Sequence, residues 1–206
     1  MNQILKNTIA LFIITAVSGL LLGAVYEGTS DARAAQAEKS KQNAYREVFA
    51  EADHFGEMDG DVKELQKSIS YSEKEVVVDE VVQALDKEGE LLGYVVTVTA
   101  KEGYAGDIKF SVGIDKDKTV LGISYLTLAE TAGLGMKAKD DSFVEQYVNQ
   151  TMDGQSFVVD KDGGDGVVID SISGATITSR AVTKGVNGAC EIVDLLLEGG
   201  VSNEEE

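Results

Sequence analysis

Four hydroxyl side chains crowd a Gly-Ala pair in the stretch from Asp170 to Arg180: Ser173, Thr176, Thr178 and Ser179 surround Gly174 and Ala175. The apolar run Val167–Ile169 precedes this stretch, and a helical pattern reaching about Leu197 follows it. A strand is therefore expected to run into a hydroxyl-rich turn that opens a helix. Such a turn suits phosphate. First-turn N–H groups lack intrahelical partners, the helix dipole adds positive character, and Gly-Ala lets an anion approach the backbone. The same residues also read as an ordinary helix start in which Ser173 or Thr176 serves as N-cap.

A second stretch could contact an aromatic ring. Glu130-Thr131-Ala132-Gly133-Leu134-Gly135 lies between a predicted strand and a predicted helix. Gly133 and Gly135 leave backbone N–H groups accessible, Thr131 adds a hydroxyl, and Leu134 could cover an apolar face. Without a second motif the stretch is equally a Gly-rich strand-to-helix connection.

Asp170–Thr176 resembles the Asp-x-x-Ser/Thr-Gly-Ala-Thr motif of the FMN-binding domain found in the G subunit of the Rnf electron-transport complex and in the C subunit of the sodium-pumping quinone reductase. Glu130–Gly135 is similar to that family's Glu-Thr-Pro-Gly-Leu-Gly loop, and Gly103-Tyr104-Ala105-Gly106-Asp107-Ile108 to its Gly-Tyr-x-Gly-x-Ile segment, in the same order. In the family the last threonine of the motif carries FMN through a phosphoester bond made by a separate flavin transferase. The resemblance implies that role for Thr176, with Ser173, Gly174, Ala175 and Thr178 around it, and Glu130, Thr131, Gly133, Leu134 and Gly135 as further FMN contacts. Thr178 is the nearest rival hydroxyl. Ala132 stands where the family has proline, so a fixed φ is missing from that loop.

These motifs need a mount. The formal charge of −18, from 36 acidic and 18 basic residues, argues against a nucleic-acid partner, which requires clustered Lys and Arg. It also predicts repulsion from anionic lipid, so membrane residence must come from apolar insertion. Asn7–Tyr26 holds no charged residue, and at about 1.5 Å per residue it spans about 30 Å, the thickness of a hydrocarbon core. A cleaved signal peptide is the competing reading, with Ala32-Arg33-Ala34 or Ala35-Gln36-Ala37 as its site. The A-x-A candidates lie well past the apolar run, which favours the span. Gly19 and Gly23 could let another membrane helix pack closely, or could be bland lipid-facing positions. Lys6 before the span places the N-terminus in the cytoplasm and the remainder on the extracellular or periplasmic side.

The expected organisation is a transmembrane anchor over 1–28, a helical stalk or linker over 29–50, an FMN-binding domain over 51–200 and an acidic tail over 201–206. Within the domain, β-branched runs predict strands at Val76–Leu85, Leu91–Ala100, Ile108–Ile114 and Val120–Leu128. They are joined sequentially and antiparallel through turns such as Lys101–Gly103 and Asp115–Lys118. Asp141–Gln150 predicts a short covering helix, and 160–166 a polar hairpin turn between Phe157–Val159 and Val167–Ile169. Glycines 103, 106, 113 and 122 allow bends or close approach of a cofactor. The fold class is α+β: a single N-terminal transmembrane helix followed by a mainly antiparallel sheet with covering helices.

No metal site is expected. His54 lies in a loop-like context without a second His or Cys at ligand spacing. Asp160–Gly166 fails the EF-hand register, because Asp165 and Ser171 stand where glycine and glutamate are needed. Cys190 shares a helical face with Val182, Val186, Ala189, Val193 and Leu197, and reads as a small buried side chain. No acid/base or nucleophile dyad is evident, so no independent catalytic residue is expected.

The resulting expectation is a membrane-anchored electron carrier with covalent FMN, working among membrane and iron–sulfur or flavin subunits of an Rnf complex. The chain length favours that complex over the quinone reductase, whose corresponding subunit is longer. The alternatives are a component of that quinone reductase or of another extracellular flavin reductase, and a membrane-anchored binding domain without redox work.

Overall fold

A computed structural model describes residues 2–58, 60–152 and 154–199; the acidic tail expected at 201–206 lies outside them. The chain divides into two compact units, 1–41 and 42–206.

The first unit is helical. α1 (Gln3–Gly28) has a mean hydropathy of 2.3 over its most apolar window and buries nothing, so by length and composition it can cross a bilayer. Its two threonine hydroxyls are satisfied within the helix, Thr8 donating to Ile4 O and Thr15 to Leu11 O. Beyond Thr29 the helical path resumes as α2 (Ser30–Val48). Arg33 lies 3.9 Å from the centroid of the Tyr26 ring and donates to Tyr26 O, forming a cation–π pair at the polar end of the apolar run.

The second unit is an α+β domain built on a five-stranded antiparallel meander. Its strands are β1 (His54–Glu57), β2 (Val76–Leu85), β3 (Leu91–Ala100), β4 (Ile108–Asp115) and β5 (Val120–Thr127), ordered β1-β2-β3-β4-β5. Asp86 accepts from the Glu88 and Glu90 N–H groups in the β2–β3 turn. Asp115 does the same for Asp117 and Thr119 between β4 and β5, the usual behaviour of Asp in tight turns. His54, expected in a loop, begins the edge strand β1, which pairs antiparallel with β2. Helix α3 (Val62–Ser68), capped by Asp61 on the Lys63 N–H, follows it.

Both faces of the sheet are covered, which is why β3 is buried from Gly93 to Ala100. On one face Val96, Val98, Phe110, Val112 and Ile114 pack under the C-terminal helix α5 (Thr176–Leu197), whose Val182, Val186, Ile192 and Val193 are fully buried. Each such side chain contributes about 1.5–3 kcal/mol on leaving water. Cys190 belongs to this layer, and burial with Asp194 and Glu191 nearby pushes its thiol up to about 12. On the opposite face the end of α2 closes a smaller core of Tyr45, Val48, Phe49, Val82, Ala84 and Val95. Gly113 and Gly122, cross-strand partners, exist for this contact and not for a cofactor. A Cβ on Gly113 would meet the Val48 carbonyl oxygen at 2.2 Å, and one on Gly122 the Val48 Cα at 3.2 Å.

Two expectations are corrected. The stretch 141–150 is helical only in α4 (Asp141–Val144), then proceeds in turns. Tyr147 anchors those turns by a hydroxyl contact of 2.8 Å with Thr183. β6 (Phe157–Val159) and β7 (Val167–Ile169) are parallel, not a hairpin. The seven-residue connection manages this because Gly163, Gly164 and Gly166 all take positive φ, conformations open to glycine at little cost.

Candidate functional site

The Asp170 stretch leaves β7 and is held at its start by Gln146, which accepts from the Asp170 N–H and donates to the Asp170 O. A β-turn follows, closed by Ala175 N–H to Ile172 O, with Gly174 at the third position and φ +76°. A turn of that form takes glycine there. Buried Ser179 then ties the turn to the helix, accepting from the Ile172 N–H and donating to Ala175 O.

Helix α5 therefore starts at Thr176 without a side-chain cap. The capping reading of the sequence is not what forms: among the described residues neither Ser173 nor Thr176 makes a side-chain hydrogen bond. The first-turn N–H groups of Thr176, Ile177 and Thr178 have no intrahelical acceptor, which leaves them, with the helix dipole, able to bind an anion.

The second motif folds the same way. Leu134 N–H closes a turn on Thr131 O, Met136 N–H reinforces it on the same oxygen, and Gly133 holds φ +77° at the third position. Leu134 then reaches across to the first motif: a Cβ on Gly174 would stand 3.1 Å from Leu134 Cδ2. A short 3-10 turn over Gly135–Lys139 completes the segment.

Together the two turns enclose a cleft of about 440 Å³ lined by Tyr104, Glu130, Thr131, Leu134, Gly135, Gly174, Ala175, Thr176, Ile177 and Thr178. Of the residues expected at the site, this gathers all but Ser173 and Gly133. Ser173 faces a neighbouring polar groove with Lys137, Asp140 and Gln146. Gly133 presents its Cβ position to open space.

Two lining residues were not singled out from the sequence. Tyr104 comes from the Gly103–Ile108 segment, whose family likeness was the available signal, and Ile177 follows Thr176 directly. Outside α1, the large apolar side chains exposed among the described residues are Tyr104, Leu134, Val168 and Ile177. Three of these four rim the cleft. Exposed apolar groups gathered this way mark a binding surface.

Glu130 is the residue on which the three segments meet. It is 8 % exposed, its Oε1 accepts from the Ala105 N–H at 3.4 Å, and no basic side chain pairs with it among the described residues. Its Oε2 has no hydrogen-bond partner, and neither does Thr178 Oγ1, which belongs to a residue 1 % exposed. Both of these oxygens lie 2.7 Å from where a Cβ on Gly135 would stand. Groups buried like this are almost always paired; these two oxygens lie behind the cleft lining, packed over Gly135.

The acidic loop 160–166 spends its carboxylates locally. Asp162 takes the Arg180 guanidinium through both oxygens, which holds its carboxyl below the usual range. Asp160 pairs with Lys161 and accepts from the Ser171 N–H. Exposed His54 lies 3.8 Å from Asp53.

Residues 103–191 match the FMN-binding domain family. The chain is 33% identical over 198 residues to the G subunit of the proton-translocating ferredoxin:NAD(+) oxidoreductase complex of Clostridium ljungdahlii, covering 96% of both chains. It is 30% identical over 193 residues to the G subunit of the Na(+)-translocating ferredoxin:NAD(+) oxidoreductase complex of Acetobacterium woodii, covering 92% of this chain and 91% of that one. Among solved structures, the C subunit of the Na(+)-translocating NADH-quinone reductase of Parabacteroides distasonis is 26% identical with a TM-score of 0.44, over 55% of this chain and 61% of that chain. With its FMN-binding domain and end-to-end likeness to the two ferredoxin:NAD(+) oxidoreductase subunits, the chain belongs to the G-subunit family of ion-translocating ferredoxin:NAD oxidoreductase (Rnf) complexes.

Proposed function

We propose that this chain carries electrons as a membrane-anchored flavoprotein subunit of such a complex, with FMN joined through its phosphate to Thr176. The observation that carries the reading is the convergence of three separate segments on one cleft beside an uncapped helix N-terminus.

The residues fit FMN. The free N–H groups at the start of α5 can receive its phosphate. The glycine-bearing turn at Gly174 lets the phosphate approach the backbone. Tyr104, Leu134 and Ile177 offer apolar surface to the ring. Thr176 is partly exposed with an unengaged hydroxyl, whereas Thr178 is sealed at 1 % exposure. A flavin transferase can therefore reach the first hydroxyl and not the second. Once bound, FMN supplies one- and two-electron transfer, and the chain supplies attachment, orientation and shielding from water.

The anchor is α1, inserted as one span with Lys6 in the cytoplasm and the FMN domain outside. That span contains no Cys or His with which to hold a metal, so other subunits provide the carriers that bring electrons across. Covalent attachment then keeps the cofactor from diffusing away on the outer side.

The test is intact mass of the protein made with and without its flavin transferase, followed by fragmentation of the flavin peptide. One FMN on Thr176, absent from Thr176→Ala, is expected. Flavin on Thr178, or none after co-expression, refutes the assignment.

A further inference from the structure

Two side chains grip the attachment turn at its ends, and one hydrogen-bonded frame joins them. Gln146 accepts from the Asp170 N–H at 2.6 Å and donates to the Asp170 O at 3.3 Å, so a single amide stands in for a neighbouring strand where β7 runs out. Ser179, fully buried, accepts from the Ile172 N–H at 3.0 Å and donates to the Ala175 O at 3.1 Å. Between these clamps stand the exposed Ser173 and Gly174, and directly after them comes Thr176. The frame closes behind the turn. Thr183 donates to the Ser179 O at 2.8 Å. That contact spends its only proton, so the Tyr147 hydroxyl, 2.8 Å away, donates to Thr183. Tyr147 follows Gln146 in sequence, and its ring is wedged edge-on against Phe143 and Phe157, at centroid distances of 5.6 and 5.0 Å.

We infer that Gln146 and Ser179 are positioning residues for flavin attachment, fixing the backbone that presents the Thr176 hydroxyl. The inference rests on Thr176 being the attachment point. In that step Thr176 Oγ1 bonds the phosphorus of a flavin phosphoanhydride and the anhydride P–O bond breaks. The other phosphate departs with the electron pair, and the hydroxyl proton passes to a base of the transferase. Such a displacement tolerates little misplacement of the entering oxygen. A turn that carries glycine at φ +76° among exposed residues has many conformations to lose. The two clamps remove that freedom before the transferase arrives. Neither side chain lines the cleft, and neither belongs to the segments that carry the family likeness, so their effect reaches the flavin through the turn alone.

The arrangement predicts a split in the kinetics of attachment. Full-length wild type, Gln146→Met and Ser179→Ala are made without flavin and given the flavin transferase with saturating FAD, a phosphoanhydride of FMN. Acceptor concentration is varied and FMN incorporation is followed by intact mass. Met keeps the length of Gln without its hydrogen bonds. Ser179→Ala removes a single oxygen and keeps the test open should Gln146→Met not fold. Val193→Ala, which cuts a fully buried side chain near the far end of α5, is the destabilised control, with the stability of every protein read in urea. Loss of a hydrogen bond sets the scale, so kcat is expected to fall about three- to tenfold in either clamp variant, with KM for the acceptor within about twofold of wild type. Val193→Ala should keep both constants, because lost stability alone does not misplace the turn. A wild-type kcat in either folded clamp variant, a loss confined to KM, or an equal loss in Val193→Ala overturns the inference while leaving the attachment site in place. Failure of wild type to take FMN on Thr176 overturns the attachment reading and this inference with it.

Discussion

Replacing Gly135 with alanine separates the role of the cleft from the stability of the loop that forms it. The new methyl would stand 2.7 Å from Glu130 Oε2, 2.7 Å from Thr178 Oγ1 and 2.8 Å from Glu130 Cβ. Non-bonded atoms of this size settle near 3.5–4.0 Å, so each contact is too short by about 1 Å. Thr178 is fixed in the first turn of α5, and Glu130 Cβ is not the free end of a side chain. Relief therefore requires the Glu130 segment to shift out of the cleft wall. Overpacking of this kind costs about 1–3 kcal/mol. Gly133→Ala is the matched control: it has nothing within 4 Å but sits at φ +77°, a conformation that costs an alanine about 1–2 kcal/mol. Both variants are thus expected to lose similar stability in urea unfolding of the flavin-free protein. Only Gly135→Ala should also lower FMN loading and change the visible flavin spectrum. A Gly135→Ala protein with wild-type stability and spectrum, or a Gly133→Ala protein with an equally altered spectrum, would refute the reasoning.

Ala132 occupies the second position of the Thr131–Leu134 turn, where proline is favoured, and its N–H makes no backbone bond among the described residues. Ala132→Pro is expected to add about 0.4–1 kcal/mol and raise the thermal midpoint by about 1–4 °C; a fall in the midpoint would show that the turn does not tolerate the fixed φ. Glu75, hydrogen-bonded by Lys184 and by Ser72, is held at about 2, below its ordinary 4.5. Its folded-state value is depressed, so its contribution is present above pH 4.5 and is lost as pH falls towards 2. Glu75→Gln should flatten the acid limb of the stability profile in that window, and an unchanged limb would deny the pairing any weight. Finally, Lys87 is exposed in the β2–β3 turn. Lys87→Cys in a Cys190→Ser background should react with an impermeant thiol reagent on intact cells; reaction only after lysis would place the domain inside.

The long strands were legible because their β-branched runs end at Asp- and Gly-bearing turns. β2 and β3 have the bounds read from the sequence, and α5 ends at Leu197 as its apolar period indicates. What escaped depended on tertiary contact. The pattern of Phe143, Tyr147 and Val148 resembles a helix, yet Tyr147 is drawn into the core by Thr183 and the rings of Phe143 and Phe157. The parallel pairing of β6 and β7 depends on three left-handed choices by glycine, and composition alone reads that loop as a hairpin. At the site, the motifs could be found one by one. The meeting of Glu130 with Thr178 through the missing side chain of Gly135 is a fact of three dimensions, and Ser173, which the motif includes, turns away from it.

Val48 resting its backbone on Gly113 and Gly122 bears on how this protein can be cut. A version freed of its apolar helix by starting at residue 50 would keep every motif residue. It would nonetheless discard Ala44, Tyr45, Val48 and Phe49, and strip the cover from a sheet face made of glycines, Val95 and Ala84. Backbone so bared is open to intermolecular association. A well-behaved soluble fragment has to begin no later than Gln42, so the last turns of α2 are inherited by the flavin domain, not by the tether.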